Sequence, residues 1–125
     1  MPALEPIRLI HVVADPAALD AAPWVDDEVV LRIAADEALV GGGSAAVVDD
    51  PDAIVVDEVG FSAATLDDGA LAQLLGHVEF QLPPERPALV QGKIAGVPAK
   101  LHVGEPTLLV VQTAYADELR SLLGW

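Results

Sequence analysis

Cysteine is absent from this chain of 125 residues. That excludes disulfides, thiolate metal sites and cysteine nucleophiles, and it leaves the redox compartment open but compatible with the cytosol. Bases are scarce: six Lys and Arg stand against 20 Asp and Glu, for a net charge of −14. A surface of that sign repels phosphate backbones, so nucleic acid is not an expected partner. Long hydrophobic runs are missing too, with none approaching the roughly 18 residues of a membrane span. The opening residues, Met1-Pro2-Ala3-Leu4-Glu5-Pro6, have neither the basic nor the long apolar segment of a secretory leader. We expect a soluble, cytoplasmic protein with no membrane partner.

The chain is long enough for one domain, 1–125, and a domain of this size buries about two-thirds of the surface that its unfolded chain exposes. Its charge is unevenly spread. Residues 1–68 carry 15 acids against Arg8 and Arg32, a balance of −13, whereas residues 69–125 carry five acids against four bases. The acidic half suits solubility, or docking onto a basic partner.

Pro6 to Val13 is apolar on both parities and β-branched, as a buried first strand should be. Asp15-Pro16 then supplies an N-cap and first-turn pair for a short helix that Pro23 ends. Glu28 to Ile33 and Glu37 to Val40 flank Ala34-Ala35-Asp36 and predict a hairpin, closed by the loop Gly41-Gly42-Gly43-Ser44. That loop lacks the Gly-Lys-Ser/Thr ending of a phosphate cradle. The acids of Asp49 to Asp52 lack the glycine and the twelfth-position glutamate of a calcium loop, and predict a surface turn.

Ala53 to Asp57 predicts a buried third strand ending in a carboxylate, and Val59 to Ala64 another short strand. Thr65-Leu66-Asp67-Asp68 opens a helix over 67–75, with Leu71, Leu74 and Leu75 on one face and Gly76 in the left-handed closing position. Val78 to Leu82 alternates, as a strand or an extended edge segment, before Pro83-Pro84. Gln91 to Val103 predicts a hairpin turning near Ala95-Gly96, and Thr107 to Val111 a further strand. A last helix, capped by Thr113, places Tyr115, Leu119, Leu122 and Leu123 on one face, with Trp125 packed at an edge.

The motifs in sequence are the Asp36-Glu37 hairpin, Val55-Val56-Asp57, Leu66-Asp67-Asp68-Gly69-Ala70-Leu71-Ala72-Gln73-Leu74-Leu75, Pro83-Pro84, Ile94-Ala95-Gly96-Val97-Pro98-Ala99-Lys100-Leu101 and Thr113-Ala114-Tyr115-Ala116-Asp117-Glu118-Leu119. Over residues 27–123 this order resembles the gamma subunit of heterotetrameric sarcosine oxidase and, more remotely, the folate-binding fold of aminomethyltransferases. The resemblance implies an accessory subunit beside a larger catalytic one. Such relatives have a full helix where only Ser44 to Asp52 stands here, so this chain looks abbreviated. Folate-using relatives also carry aspartates in the strand after the glycine turn, where this chain has Val97-Pro98-Ala99-Lys100-Leu101-His102. Inherited aminomethyl transfer is therefore not expected.

The residues offer no constellation for chemistry, which makes an enzyme the third reading after a subunit and a binder. His11, His77 and His102 have no ligand-spaced partners, and Ser44 and Ser62 lack a nucleophile elbow. No catalytic residue, metal or cofactor is expected. The candidate binding residues are Asp57, a carboxylate at a strand end, and Arg86, Lys93 and Lys100, three of the six bases, in a stretch with no acid between Glu85 and Glu105. A hairpin at Ala95-Gly96 sets Lys93 and Lys100 on neighbouring strands, as a basic patch for a carboxylate, a phosphate or the acidic half of a second copy.

The sequence thus predicts an α+β protein, a single domain with a largely antiparallel sheet and two main helices packed on it. The expected function is a non-catalytic accessory or scaffold subunit, with a larger catalytic subunit or self-association as partner. The alternative is a stand-alone binder of a small folate- or carboxylate-type ligand, or a homo-oligomeric protein of unassigned function. A subunit needs an exposed apolar patch, whereas a binder needs a concave pocket near Asp57 or the lysine pair.

Overall fold

The computed structural model describes residues 2–24, 29–41 and 48–125. Among them run β1 (Glu5–Val13), α1 (Pro16–Ala21), β2 (Val29–Ala34), β3 (Glu37–Gly41), β4 (Ile54–Leu66), α2 (Asp68–Leu75), β5 (Ala88–Ile94), β6 (Val97–Val103), β7 (Thr107–Gln112) and α3 (Ala116–Leu123). The protein is α+β, and the strand pairs whose register is described are antiparallel. None of the described helices is long and apolar enough to cross a membrane. The chain divides into two compact units, Met1–Ile7 with Gly60–Trp125, and Arg8–Val59.

In the unit Arg8–Val59 the expected helix and hairpin both form. Asp15 caps α1, its Oδ1 accepting from the Ala17 amide at 2.9 Å, with Pro16 in the first turn. β2 and β3 pair from Val29 opposite Gly41 to Ala34 opposite Glu37, and β1 adds to the other edge of β3. Alternation puts Val12, Ala38 and Val40 on the face that packs with Leu19 of α1. Arg32 closes this unit: its guanidinium donates to Asp20 Oδ1 at 2.8 Å and to the carbonyls of Pro16, Ala34 and Ala35. The expected loop residues Gly42, Gly43 and Ser44, and Glu28 of the hairpin, lie outside the described residues.

Two strand expectations need correction here. The stretch expected as two short strands, 53–57 and 59–64, is one strand of 13 residues, β4. Asp57 does not end a buried strand. It sits mid-strand in solvent, where a charge imposes no break, and accepts from Arg8 Nη2 at 2.8 Å. Of the first strand, only Leu9 and Val12 are buried.

In the other unit the strand order is β4-β7-β6-β5. Its core gathers Leu66, Ile94, Leu101 and Leu109 from the sheet with Leu74 of α2 and Leu119 and Leu123 of α3. The expected hairpin turns at Ala95-Gly96, both at positive φ (50° and 81°), as a two-residue turn between strands requires.

The helix ends differ from expectation. Asp67, not Thr65, caps α2, because Thr65 still belongs to β4 while Asp67 Oδ1 accepts from the Ala70 amide at 2.7 Å. Gly76 stays right-handed, and the left-handed closing residue is Gly124 after α3. Thr113 caps nothing; its hydroxyl pairs with Ser62 Oγ at 2.9 Å, and Thr113–Tyr115 forms a 3-10 turn before α3. The buried face of α3 is therefore Ala116, Leu119 and Leu123, while Tyr115 and Leu122 face solvent. Val78 to Leu82 forms no strand: the chain bends at Glu79 and Phe80 and touches β5 through one bridge from Val78 to Ile94. Trp125 packs at the core edge, its indole N–H donating to Gln73 Oε1 at 3.4 Å.

Candidate functional site

Strand alternation gives the sheet β4-β7-β6-β5 an outer face opposite the helices. The registers Lys93 opposite Pro98, Gln91 opposite Lys100, Lys100 opposite Val110, Ala63 opposite Val110 and Phe61 opposite Gln112 place these side chains together on that face. All of them but Ala63 line an open cleft of about 250 Å³. Its floor is Val110, fully buried at 0% exposure. Its rim is cationic and amidic, from Lys93, Lys100, Gln91 and Gln112, and no Asp or Glu lines it.

Lys100 is half-buried and oriented. Its Nζ donates to Gln91 Oε1 at 3.2 Å and stands 5.8 Å from the Phe61 ring centroid, within cation–π range. Lys93 is exposed and has no hydrogen-bond or ion-pair partner among the described residues. The two lysines are thus brought together as the hairpin register predicts.

The other two candidates lie elsewhere. Arg86 folds back on its own loop, donating to the carbonyl oxygens of Pro83 and Glu85. Asp57 belongs to the other compact unit and is paired with Arg8. Phe61, Gln91 and Gln112 were missed by sequence reasoning. The β5–β6 register alone would have found Gln91, opposite Lys100, but Phe61 and Gln112 meet only through the β4–β7 pairing.

His102 lies on this outer face two residues after Lys100, between Leu89 and Leu108 of the adjacent strands. Burial lowers its pKa from the ordinary 6.5, because an imidazolium loses hydration there. The unfolded chain therefore takes up a proton at a pH where the folded chain still holds the ring neutral. Stability is full above about 6.5 and falls as pH drops through the lower folded value. Urea unfolding at pH 7.5 and 5.5 should show this loss, and His102→Gln should reduce it; an unchanged slope would refute the assignment.

Asp49 to Asp52 form the surface turn expected. Asp50 accepts from the amides of Asp15 at 2.8 Å and Asp52 at 2.9 Å, which hold its carboxyl below the usual range. This carboxylate clamps the turn to the start of α1. The His11–Glu37 pair, at 3.0 Å, has no hydroxyl nucleophile bonded to it in the described contacts. Among the described residues no group of three or more His, Asp or Glu is placed to hold a metal.

Neither a protein-family model nor a curated protein matches the chain.

Proposed function

We propose that this single-domain chain is a non-catalytic accessory or scaffold subunit, cytoplasmic, that docks on a larger catalytic subunit. The observation that carries this reading is the exposed half of β4. Ile54, Val55, Val56 and Val59 are 59%, 48%, 49% and 71% exposed, with Ile54 and Val56 on one face of the strand and Val55 and Val59 on the other. Large aliphatics scattered singly over a surface need no explanation, but four within six residues leave this half of the strand an exposed apolar ribbon.

Charge argues for the class of occupant. The unit Arg8–Val59 carries 12 acids against two bases, a balance of −10. A second copy would bring the same charge against this ribbon. A larger subunit with an apolar groove rimmed by Lys and Arg would instead gain on-rate and specificity from it. The resemblance to the oxidase gamma subunit points to the same role.

Tagged protein purified from its host at low salt tests the reading. We expect a stoichiometric complex with one larger catalytic subunit, hydrogen-exchange protection over 54–59 within that complex, and its loss at 0.5 M salt. Val59→Glu, at the most exposed of the four positions, should abolish the complex without changing the fold by circular dichroism. Recovery of a monomer or of a homo-oligomer alone, or an intact complex with Val59→Glu, would overturn it.

A further inference from the structure

We infer that the cleft on the outer face of β4-β7-β6-β5 is a binding site for a small organic carboxylate. The head of the ligand lies between the ammonium groups of Lys93 and Lys100, and its apolar body lies against Pro98 and the Phe61 ring. This inference is independent of the docking ribbon on β4.

The first ground is charge placement. The chain has 20 acids and only two lysines, and both lysines stand on one sheet face as diagonal neighbours across β5 and β6. Diagonal side chains of a ladder have Cα atoms roughly 7–8 Å apart, within reach of each other for long side chains. Two ammonium groups so placed repel, and no carboxylate of the cleft wall lies between them. An anion seated between them turns that repulsion into two charge-assisted hydrogen bonds.

The second ground is orientation. Lys100 does not sweep freely through solvent: Gln91 accepts from its Nζ, and Phe61 attracts it from the side. A cation held in place before the ligand arrives loses less side-chain entropy on binding. Gln112, beside Phe61, adds a side-chain amide able to donate to a second carboxylate oxygen.

The third ground is the floor. Val110 is sealed beneath the cleft, and the apolar surface open to a ligand is that of exposed Pro98 and partly exposed Phe61, beside the cationic rim. That division selects an anion with an apolar body over a fully hydrated ion. The volume of about 250 Å³ lies below the roughly 300–1,000 Å³ of drug-sized pockets, so the ligand is small. A dense trianionic or nucleotide ligand does not suit a site with two cations and the surrounding charge of this chain.

Titration of the full chain with hexanoate and benzoate at constant ionic strength, followed by amide ¹H–¹⁵N chemical shifts, tests the site. We expect saturable shifts confined to residues 61, 91–93, 98–100 and 110–112, and none with hexanamide, which keeps the body and lacks the charge. Lys93→Gln and Lys100→Gln should each weaken binding about tenfold with the thermal midpoint unchanged. Should Lys100→Gln unfold the protein through loss of its Phe61 contact, Lys93→Gln, whose side chain is exposed, still decides. Inorganic phosphate is the competing probe: if it binds as well as hexanoate, the site is a general anion site and the carboxylate assignment fails. Equal binding of hexanamide, shifts away from the cleft, or no saturation by 50 mM would likewise overturn it.

Discussion

Replacing Leu119 by alanine is expected to lower the unfolding free energy by about 3 kcal/mol, within the range of buried Leu to Ala substitutions. Leu119 is fully buried on α3, in the same cluster as Leu4, Leu74, Leu101 and Leu109. Removing three carbons there leaves a cavity with walls from a sheet and two helices, and close-packed walls collapse only partly. Leu123→Ala should cost a similar amount, since Leu123 is buried one turn further on. Leu122→Ala, by contrast, should cost less than about 0.5 kcal/mol, because that side chain is already half in water. For a domain of this length, loss of about 3 kcal/mol is a fall of roughly 12 °C in Tm. Urea denaturation of the three variants settles the face of α3: equal costs at positions 122 and 123 would sink the assignment.

That comparison also separates what could be read in the sequence from what could not. Tyr115, Leu119, Leu122 and Leu123 share an apolar stripe, but apolarity alone does not say which edge of the stripe is buried. The side chain of Thr113 decides it by bonding Ser62 across β4 and β7, a contact over 51 residues that leaves a 3-10 turn before the helix. Local signals were legible. Asp15-Pro16 caps α1, Ala95-Gly96 turns the β5–β6 hairpin, and with that hairpin the pairing of the two lysines follows.

Burial was the less legible property. Ile54, Val55 and Val56 have the composition of a core strand, and periodicity cannot distinguish a strand covered on both faces from one bare on both. Asp57 looked special for ending such a strand; in solvent beside Arg8 it is an ordinary surface ion pair, of the kind that contributes about 0–1 kcal/mol. The carboxylate cleft has the opposite history. Its two cations were visible from hairpin spacing, while Phe61 entered only through the pairing of β4 with β7, and Arg86 was lost because its guanidinium satisfies the carbonyls of its own loop.

Gly92→Val is expected to destabilise the protein by about 2–3 kcal/mol, the cost of overfilling a packed site. Gly92 lies on β5 opposite Ala99, and a Cβ built there would stand 2.9 Å from Cδ1 and 3.0 Å from Cε1 of Phe80. Those are ring atoms, so no flexible chain end can swing aside. Nor can the segment lift easily, because Val78 bridges Ile94 and the Ala95 amide donates to the His77 carbonyl at 2.9 Å. The ring must leave Gly92, and with it goes the cover that Phe80 gives this end of the core. If this is the mechanism, Phe80→Ala removes the clash, and the double variant should cost no more than Phe80→Ala alone. Strictly additive losses in urea denaturation would instead mean that valine strains β5 itself. In that case the cleft would report it directly, since Gln91 and Lys93 flank Gly92 and point to the opposite face: hexanoate affinity would fall in the double variant, whereas relief of the clash leaves it at the level of Phe80→Ala.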